Sequence, residues 1–312
     1  MGLGTNHVTT TTANTFIPEI WSDEIVAAYK KSLVAANLVK KMSFKGKKGD
    51  KVHIPSPTRG DASVKTASAQ VTLIAATETE VAVDINKHYE YSRLIEDIVE
   101  AQALSSLRSF YTEDAGYALG KQVDSDIIKL GRLSQGGAGA RYAGAFIGSN
   151  GTTAYDYTAD NQAALTDAAI RRSIQRLDDS DVPMDNRFFI VPPSTRNTLM
   201  GLARFTEQAF VGEMGGNNTI RNGAVGDVYG VKVYVSTNAD TPTDANDGSG
   251  TAQPARICLM AHKDSFVLIE QVGIRSQTQY KQEYLGTLFT ADTLYGVAEL
   301  RDYASVALAV PT

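Results

Sequence analysis

The sequence predicts an α+β fold in which a long, weakly apolar hairpin projects from a mixed helix-and-sheet body. Three observations carry this. Strand-like alternation over about residues 51–91 has a middle third of mostly Ala, Ser, Thr and Lys. One long helical segment follows over about 94–133. Helical and strand periods then alternate to the last residues.

Residues 1 to about 15 are Thr-rich and lack an apolar period, which predicts a flexible arm. Pro18 opens a helix whose stripe runs Ile20, Ile25, Ala28, Tyr29 and Leu33. In the hairpin, Val52 and Ile54 alternate on the rising arm, TRGDAS marks a turn, and Val71, Leu73, Val81, Val83 and Ile85 return. Arms of about 15–18 residues would project roughly 50 Å at some 3.3 Å per residue. An isolated two-stranded ribbon is marginal in water, so this one needs a covering partner.

The long helix carries Leu104, Leu107 and Tyr111, then Leu119, Val123, Ile127 and Leu130, with Gly116 and Gly120 softening it or admitting a close neighbour. SQGGAGARYAG stops it. Thr166-Asp167 can cap a helix with Ile170, Ile174 and Leu177 on one face. Phe188-Phe189-Ile190-Val191 reads as a buried strand closed by Pro192-Pro193, and a helix through Leu199 and Leu202 follows. Strands are predicted at Val231–Val235, Ile257–Ala261, Phe266–Ile269 and from Leu294 to Val310, with a polar excursion at 240–254.

Composition narrows the function. With 43% hydrophobic and 21% charged residues over 312 positions, the chain is globular and long enough to fold without metals or disulfides. Its one cysteine, Cys258, permits no intrachain disulfide. A net charge of −5 argues against a dedicated nucleic-acid binder. No apolar run approaches the roughly 18 residues of a membrane helix. The start, MGLGTNHVTTTTANTF, lacks a signal peptide's charged and apolar regions, and Asn6 spoils a myristoylation match. The chain is expected to be soluble and intracellular when made.

Chemical motifs are weak. His262, Asp264 and Ser265 lie too close in sequence to converge as a triad and read as a surface turn. Asp178, Asp179, Asp181 and Asp185 fail the calcium-loop template at Pro183 and Met184. Asp240, Asp244, Asn246 and Asp247 fail it too, because Gly248 falls one position early. GGAGARYAG follows a helix and does not fit GxGxxG, and no GxxxxGK[ST] occurs. Arg59-Gly60-Asp61 reads as part of a turn. The histidines at 7, 53, 88 and 262 show no zinc spacing, and Cys258 reads as core. From Lys30 to Lys51, eight lysines stand against Asp50, a local balance of +7 that fits either a solvated face or a contact with acidic neighbours or DNA. No catalytic residue, metal or cofactor is expected.

The order of elements resembles the HK-97-type coat protein of tailed bacteriophages: N-arm, E-loop hairpin, spine helix, axial (A) domain and peripheral (P) domain. GDKVHIPSPTRGDASV resembles the rising E-loop strand, and VPMDNRFFIVPPSTRNTLM resembles the entry to the A domain. RNGAVGDVYGVKVYVSTN resembles a glycine turn launching an A-domain strand, and LYGVAELRDYASVALAV resembles the closing P-domain strands. The likeness runs from about Ile17 to Val310 and is most like the coats of short-tailed phages.

This resemblance implies an arm and helix at 1–47, the E-loop at 48–91, a P-domain part with the spine at 92–164, the A domain at 165–285 and a return to the P domain at 286–312. It implies pentamers and hexamers of the chain in an icosahedral shell around double-stranded DNA, with scaffolding and portal proteins as partners and possible decoration protein, and no membrane. Residence in the virion is implied, after assembly in the host cytoplasm. Lys51, Arg59, Asp61 and Lys65 would sit in the E-loop contact between subunits. Lys40, Lys41, Lys45, Lys47 and Lys48 would form the basic stretch facing a neighbour or DNA. The alternatives are an encapsulin-type compartment shell and an α/β hydrolase.

Overall fold

The computed structural model describes residues 33–57, 60–68, 70–71, 73, 78–97, 106–131, 144–156, 161–202, 226–242 and 255–312. The expected helix at 18–32, the glycine-rich stop at 132–143 and most of the polar excursion lie outside them.

The hairpin is present. β2 (Lys51–Pro57) pairs antiparallel with β3 (Glu78–Asp84) in an unbroken register from Lys51↔Asp84 to Pro57↔Glu78. It follows a helical turn, α1 (Ala35–Leu38), and a short strand, β1 (Lys40–Ser43). The ladder is shorter than the arms expected from sequence. Among many Ala, Ser and Thr the distal residues carry only scattered larger apolar side chains, too few to hold a ladder by cross-strand pairing, and the described residues from 60 to 73 lie outside any ladder.

The return arm also breaks earlier than expected. After Ile85 and Asn86 the chain enters β4 (Lys87–Glu96), which pairs with another sheet entirely and takes in residues 94–96, expected to open the long helix; that helix, α2, is described over Ser106–Lys129. The apolar residues Tyr89, Tyr91 and Ile95 fall at period two, and that overrides the helical reading of Leu94.

Two larger sheets form the body. β5 (Phe146–Ile147), β6 (Arg187–Val191), β7 (Asp227–Val228), β8 (Val231–Val235), β9 (Ala255–His262) and β12 (Ser305–Pro311) make a six-stranded sheet in the order β5-β12-β9-β6-β8-β7. β10 (Phe266–Lys281) and β11 (Gly286–Glu299) join β1 and β4 in the order β1-β10-β11-β4. The boundary expected at 285/286 does not coincide with these sheets. β10 pairs with β4's sheet, whereas β12, expected with the P domain, pairs with β9.

Helices α3 (Asp167–Asp179) and α4 (Pro193–Met200) pack on one face of the six-stranded sheet. Thr166 caps α3 as its sequence predicts, its Oγ1 accepting from the Ala169 N–H. The all-apolar run of β6 is buried on both faces. Phe189 and Val191 join Ile170, Leu177 and Leu199, and Phe188 and Ile190 join Ile127, Ile128 and Leu259 beneath α2. That second cluster continues through Phe266, Leu268 and Tyr295 and so welds both sheets to α2. Gly120 admits a close neighbour, since a Cβ there would come within 3.0 Å of Leu33 Cδ1; Gly116 has open space.

The hairpin root is fixed to the opposite face of the four-stranded sheet. Val83 and Ile85 bury against Val267 and Ile269, with Val52, Ile54 and Val81 half-buried beside them. A Cβ on Gly296 would collide with the carbonyl oxygen of Asp84, so a glycine is what lets the root sit this close.

Candidate assembly surfaces

Beyond its root the hairpin leaves the body. Every described residue from 60 to 73 is exposed, and Val64 and Leu73 stand 95% and 91% open to solvent. Apolar side chains this bare on a segment without ladder partners are what a contact surface provides. Of the four expected contact residues, Lys51 is spent within the hairpin on Asp84, at 3.2 Å. Asp61 is exposed, and Lys65 is exposed with its Nζ on the Thr66 carbonyl. Arg59 lies outside the described residues. His53 and Glu80 form a further cross-strand pair at 2.9 Å.

The basic stretch divides in two. Lys40 and Lys41 lie exposed on the edge strand β1, where lysine discourages stray strand pairing, and Lys41 donates to Asn37. Lys45, Lys47 and Lys48 sit in the exposed turn after it. Gln271 holds that turn by donating to the carbonyls of Lys47 and Gly49, and the Lys47 ammonium stands 4.9 Å from the Phe44 ring centre.

A second projection was not legible in sequence. The distal halves of β10 and β11 form a tongue in which residues 274–280 are exposed without interruption. Ile274, Tyr280, Tyr284 and Leu285 are each about half open or more. Arg275 grips Asp292 across the strands through two bonds of 2.8 and 2.9 Å, joined by His88, and this pairing holds the Asp292 carboxyl below its ordinary range. Tyr280 donates to Asp97 at the far end, 2.7 Å away. The alternation of Ile274, Ser276, Thr278 and Tyr280 with polar residues is the one signal that could have revealed it, but polar groups on both faces hide the period.

Buried carboxylates on α2 tie these projections to the body. Asp124, fully buried, accepts from the Val34 and Ala35 N–H groups at 2.9 and 2.7 Å, serving a helical turn that has no side-chain cap of its own. Asp126 accepts from Tyr295 at 2.9 Å, from Gln122 at 3.0 Å and from Lys87 at 3.1 Å. Burial, with that carboxylate beside it, holds the Tyr295 phenol far above its ordinary range.

The His262–Ser265 cluster does not form a hydrolase triad. Ser265 is fully buried and donates to the His262 carbonyl, while His262 Nδ1 accepts the Asp264 N–H, so within this cluster the nucleophile does not face the base. Asp178 binds the buried Arg187 at 2.7 Å, and among the described residues no cluster of His, Cys, Asp or Glu could hold a metal. Cys258 is buried, and burial pushes its thiol up to about 12. Among the described residues, one groove of about 630 Å³ lies between the hairpin root at Pro55 and Ser56 and the residues His262 and Arg301, and another of about 620 Å³ lies beside Lys232 and Lys263. No helix among the described residues is long and apolar enough to cross a membrane.

A body of two sheets and a long helix, with a rooted but outwardly bare hairpin, is the architecture of the HK-97-type capsid subunit. A family model described as phage capsid protein matches residues 32–283, and the chain belongs to that family. It is a structural protein of the virion shell, not an enzyme. Its fold is shared with several solved capsids. The capsid structure of the cyanophage P-SCSP1u is 18% identical with a TM-score of 0.75, covering 100% of this chain and 97% of that one. Mycobacterium phage Che8 gives 20% and 0.70, over 95% and 97% of the two chains. The asymmetric unit of the bacteriophage PhiM1 mature capsid gives 14% and 0.71, over 94% and 92%. A comparison with curated protein sequences gave no match.

Proposed function

We propose that this chain is the major subunit of an icosahedral head enclosing double-stranded DNA, and that its hairpin lies over the neighbouring subunit as the E-loop. The observation that carries the contact is the exposure of Val64, Val71 and Leu73 on a segment without ladder partners in its own chain. Asp61, Lys65 and Arg59 would supply polar pairing at that contact. The six-stranded sheet would pack about the capsomer axis, and the four-stranded sheet with α2 would meet its counterparts between capsomers.

Assembly would take place in the host cytoplasm on a scaffolding protein and around a portal, with a decoration protein as a further partner of the finished surface. Lys45, Lys47 and Lys48 would face acidic neighbours or packaged DNA. The sequence likeness favours a short-tailed phage. Electron microscopy of the purified protein tests the reading: closed particles of megadalton mass are expected, and a small soluble oligomer under assembly conditions would overturn it.

A further inference from the structure

We infer that Asn150 is a modification site gated by folding: its side-chain amide survives while its turn is seated on α3, and it is converted to aspartate and isoaspartate when the turn opens. The inference concerns the subunit itself and does not depend on the shell reading.

Asn150 is followed by Gly151, and in an open chain that pair is chemically unstable. The Gly151 nitrogen loses its proton and attacks Asn150 Cγ; a C–N bond forms, and the side-chain nitrogen leaves as ammonia. Water then opens the five-membered imide at either carbonyl. One opening gives aspartate, and the other gives isoaspartate, with an extra methylene in the main chain. Water is the co-reactant, and nothing is oxidised or reduced. Glycine speeds the attack because no Cβ shields its nitrogen.

The fold requires that glycine. Gly151 has a φ of +63°, and a Cβ on it would stand 3.0 Å from the Ala169 carbonyl oxygen and 3.3 Å from Arg172 Cβ. Packing against α3 thus selects the residue that makes its neighbour labile.

The same turn engages every reacting group. The Gly151 N–H, which supplies the nucleophile, donates to the Ile147 carbonyl at 3.1 Å. Asn150 Oδ1 accepts from the Thr152 and Thr153 N–H groups at 2.8 and 3.0 Å. Nδ2, the leaving nitrogen, donates to Thr153 Oγ1 at 2.9 Å. The turn is in turn fastened to the body. Arg176 donates to the Gly151 carbonyl at 3.1 Å while its guanidinium lies 3.6 Å from the Phe146 ring centre, and Thr166, the cap of α3, donates to the Ser149 carbonyl. Ring closure has to break the Asn150 bonds together, so reaction proceeds through a local opening and its rate is scaled by the open fraction.

The test follows Asn150 by mass spectrometry in the full chain aged at pH 8, in the same chain unfolded in urea, and in a peptide of residues 144–156. The inference expects the folded chain to convert at least about tenfold more slowly than the peptide, and the unfolded chain to match the peptide. Thr153→Val is an exposed change that removes the partner of Nδ2, and Arg176→Met frees the Gly151 carbonyl. Each should raise the folded rate by about threefold or more and leave the unfolded rate unchanged. Equal rates in the folded chain and the peptide would overturn the gate. An Asn150 that stays intact in the peptide would overturn the site. Both variants converting at the parent's slow rate would show that these bonds do not hold the turn closed, and would overturn the gate as well.

Discussion

Asp124 on α2 accepts a hydrogen bond from the Asn238 side chain at 2.9 Å, across 114 residues of chain. The same carboxylate caps the turn at Val34 and Ala35, so a single buried group fastens the arm, the long helix and the loop after β8. Replacing it orphans buried donors on both sides. Asp124→Ala should cost about 2–4 kcal/mol of subunit stability in urea denaturation. Asp124→Asn keeps one acceptor oxygen and should cost less. An alanine variant as stable as the parent would contradict this role.

Glu299 sets a pH dependence. Its burial, with Asp302 nearby, pushes the carboxyl up to about 7 from an ordinary 4.5, against a weak bond from Ser305. The fold thus favours the protonated form. Its contribution to stability is fully present below 4.5 and is lost as pH rises through 7. Glu299→Gln should therefore melt with the parent near pH 4.5 and above it at pH 8. A variant that melts lower than the parent at pH 8 would show that the ionised carboxylate is stabilising.

The parts of the fold that a short window can specify were legible: Thr166 as a cap, the doubly buried Phe188–Val191 strand, the alternating Val231–Val235, and the hairpin root. What could not be read depends on distant partners. Leu94 looks helical beside Glu96 and Asp97 until β11 pairs with it, and Ser305–Pro311 looks like a continuation of β11 until β9 claims it. The Asp124 and Asp126 ties join residues far apart in sequence and leave no local signature. The tongue at 274–285 escaped because a strand polar on both faces shows no hydrophobic period. Among the expected contact residues, Lys51 pairs with Asp84 in the same hairpin, a partner that sequence spacing alone does not show.

Cohesion between subunits should rest on burial and polar pairing. Obligate interfaces typically bury more than about 2,000 Å². The lone cysteine is sealed in the core with its thiol pushed up to about 12, so reductant has no bond to break and alkylating reagents at pH 8 should leave it unmodified. Particles should survive both reductant and EDTA and dissociate cooperatively in denaturant. Loss of particles in EDTA alone would reveal a structural cation.

The basic turn offers a charge test. Lys45, Lys47 and Lys48 changed together to Glu should lower particle yield or DNA content. Each exposed pair is worth only about 0–1 kcal/mol, but the loss recurs at every copy. Particles with unchanged yield and DNA content would mean that these lysines serve only solvation.

The central claim is that the bare part of the hairpin builds the shell rather than the subunit. The described residues between 56 and 73 contribute no side chain to the buried clusters, whereas the root residues Val83 and Ile85 do. A subunit lacking 56–75 should remain folded, with a melting temperature within about 2 °C of the parent, because surface changes away from the core alter stability little. Imaged by electron microscopy under conditions in which the parent closes into shells, it should yield none. Closed particles of normal size from the shortened protein would contradict the account.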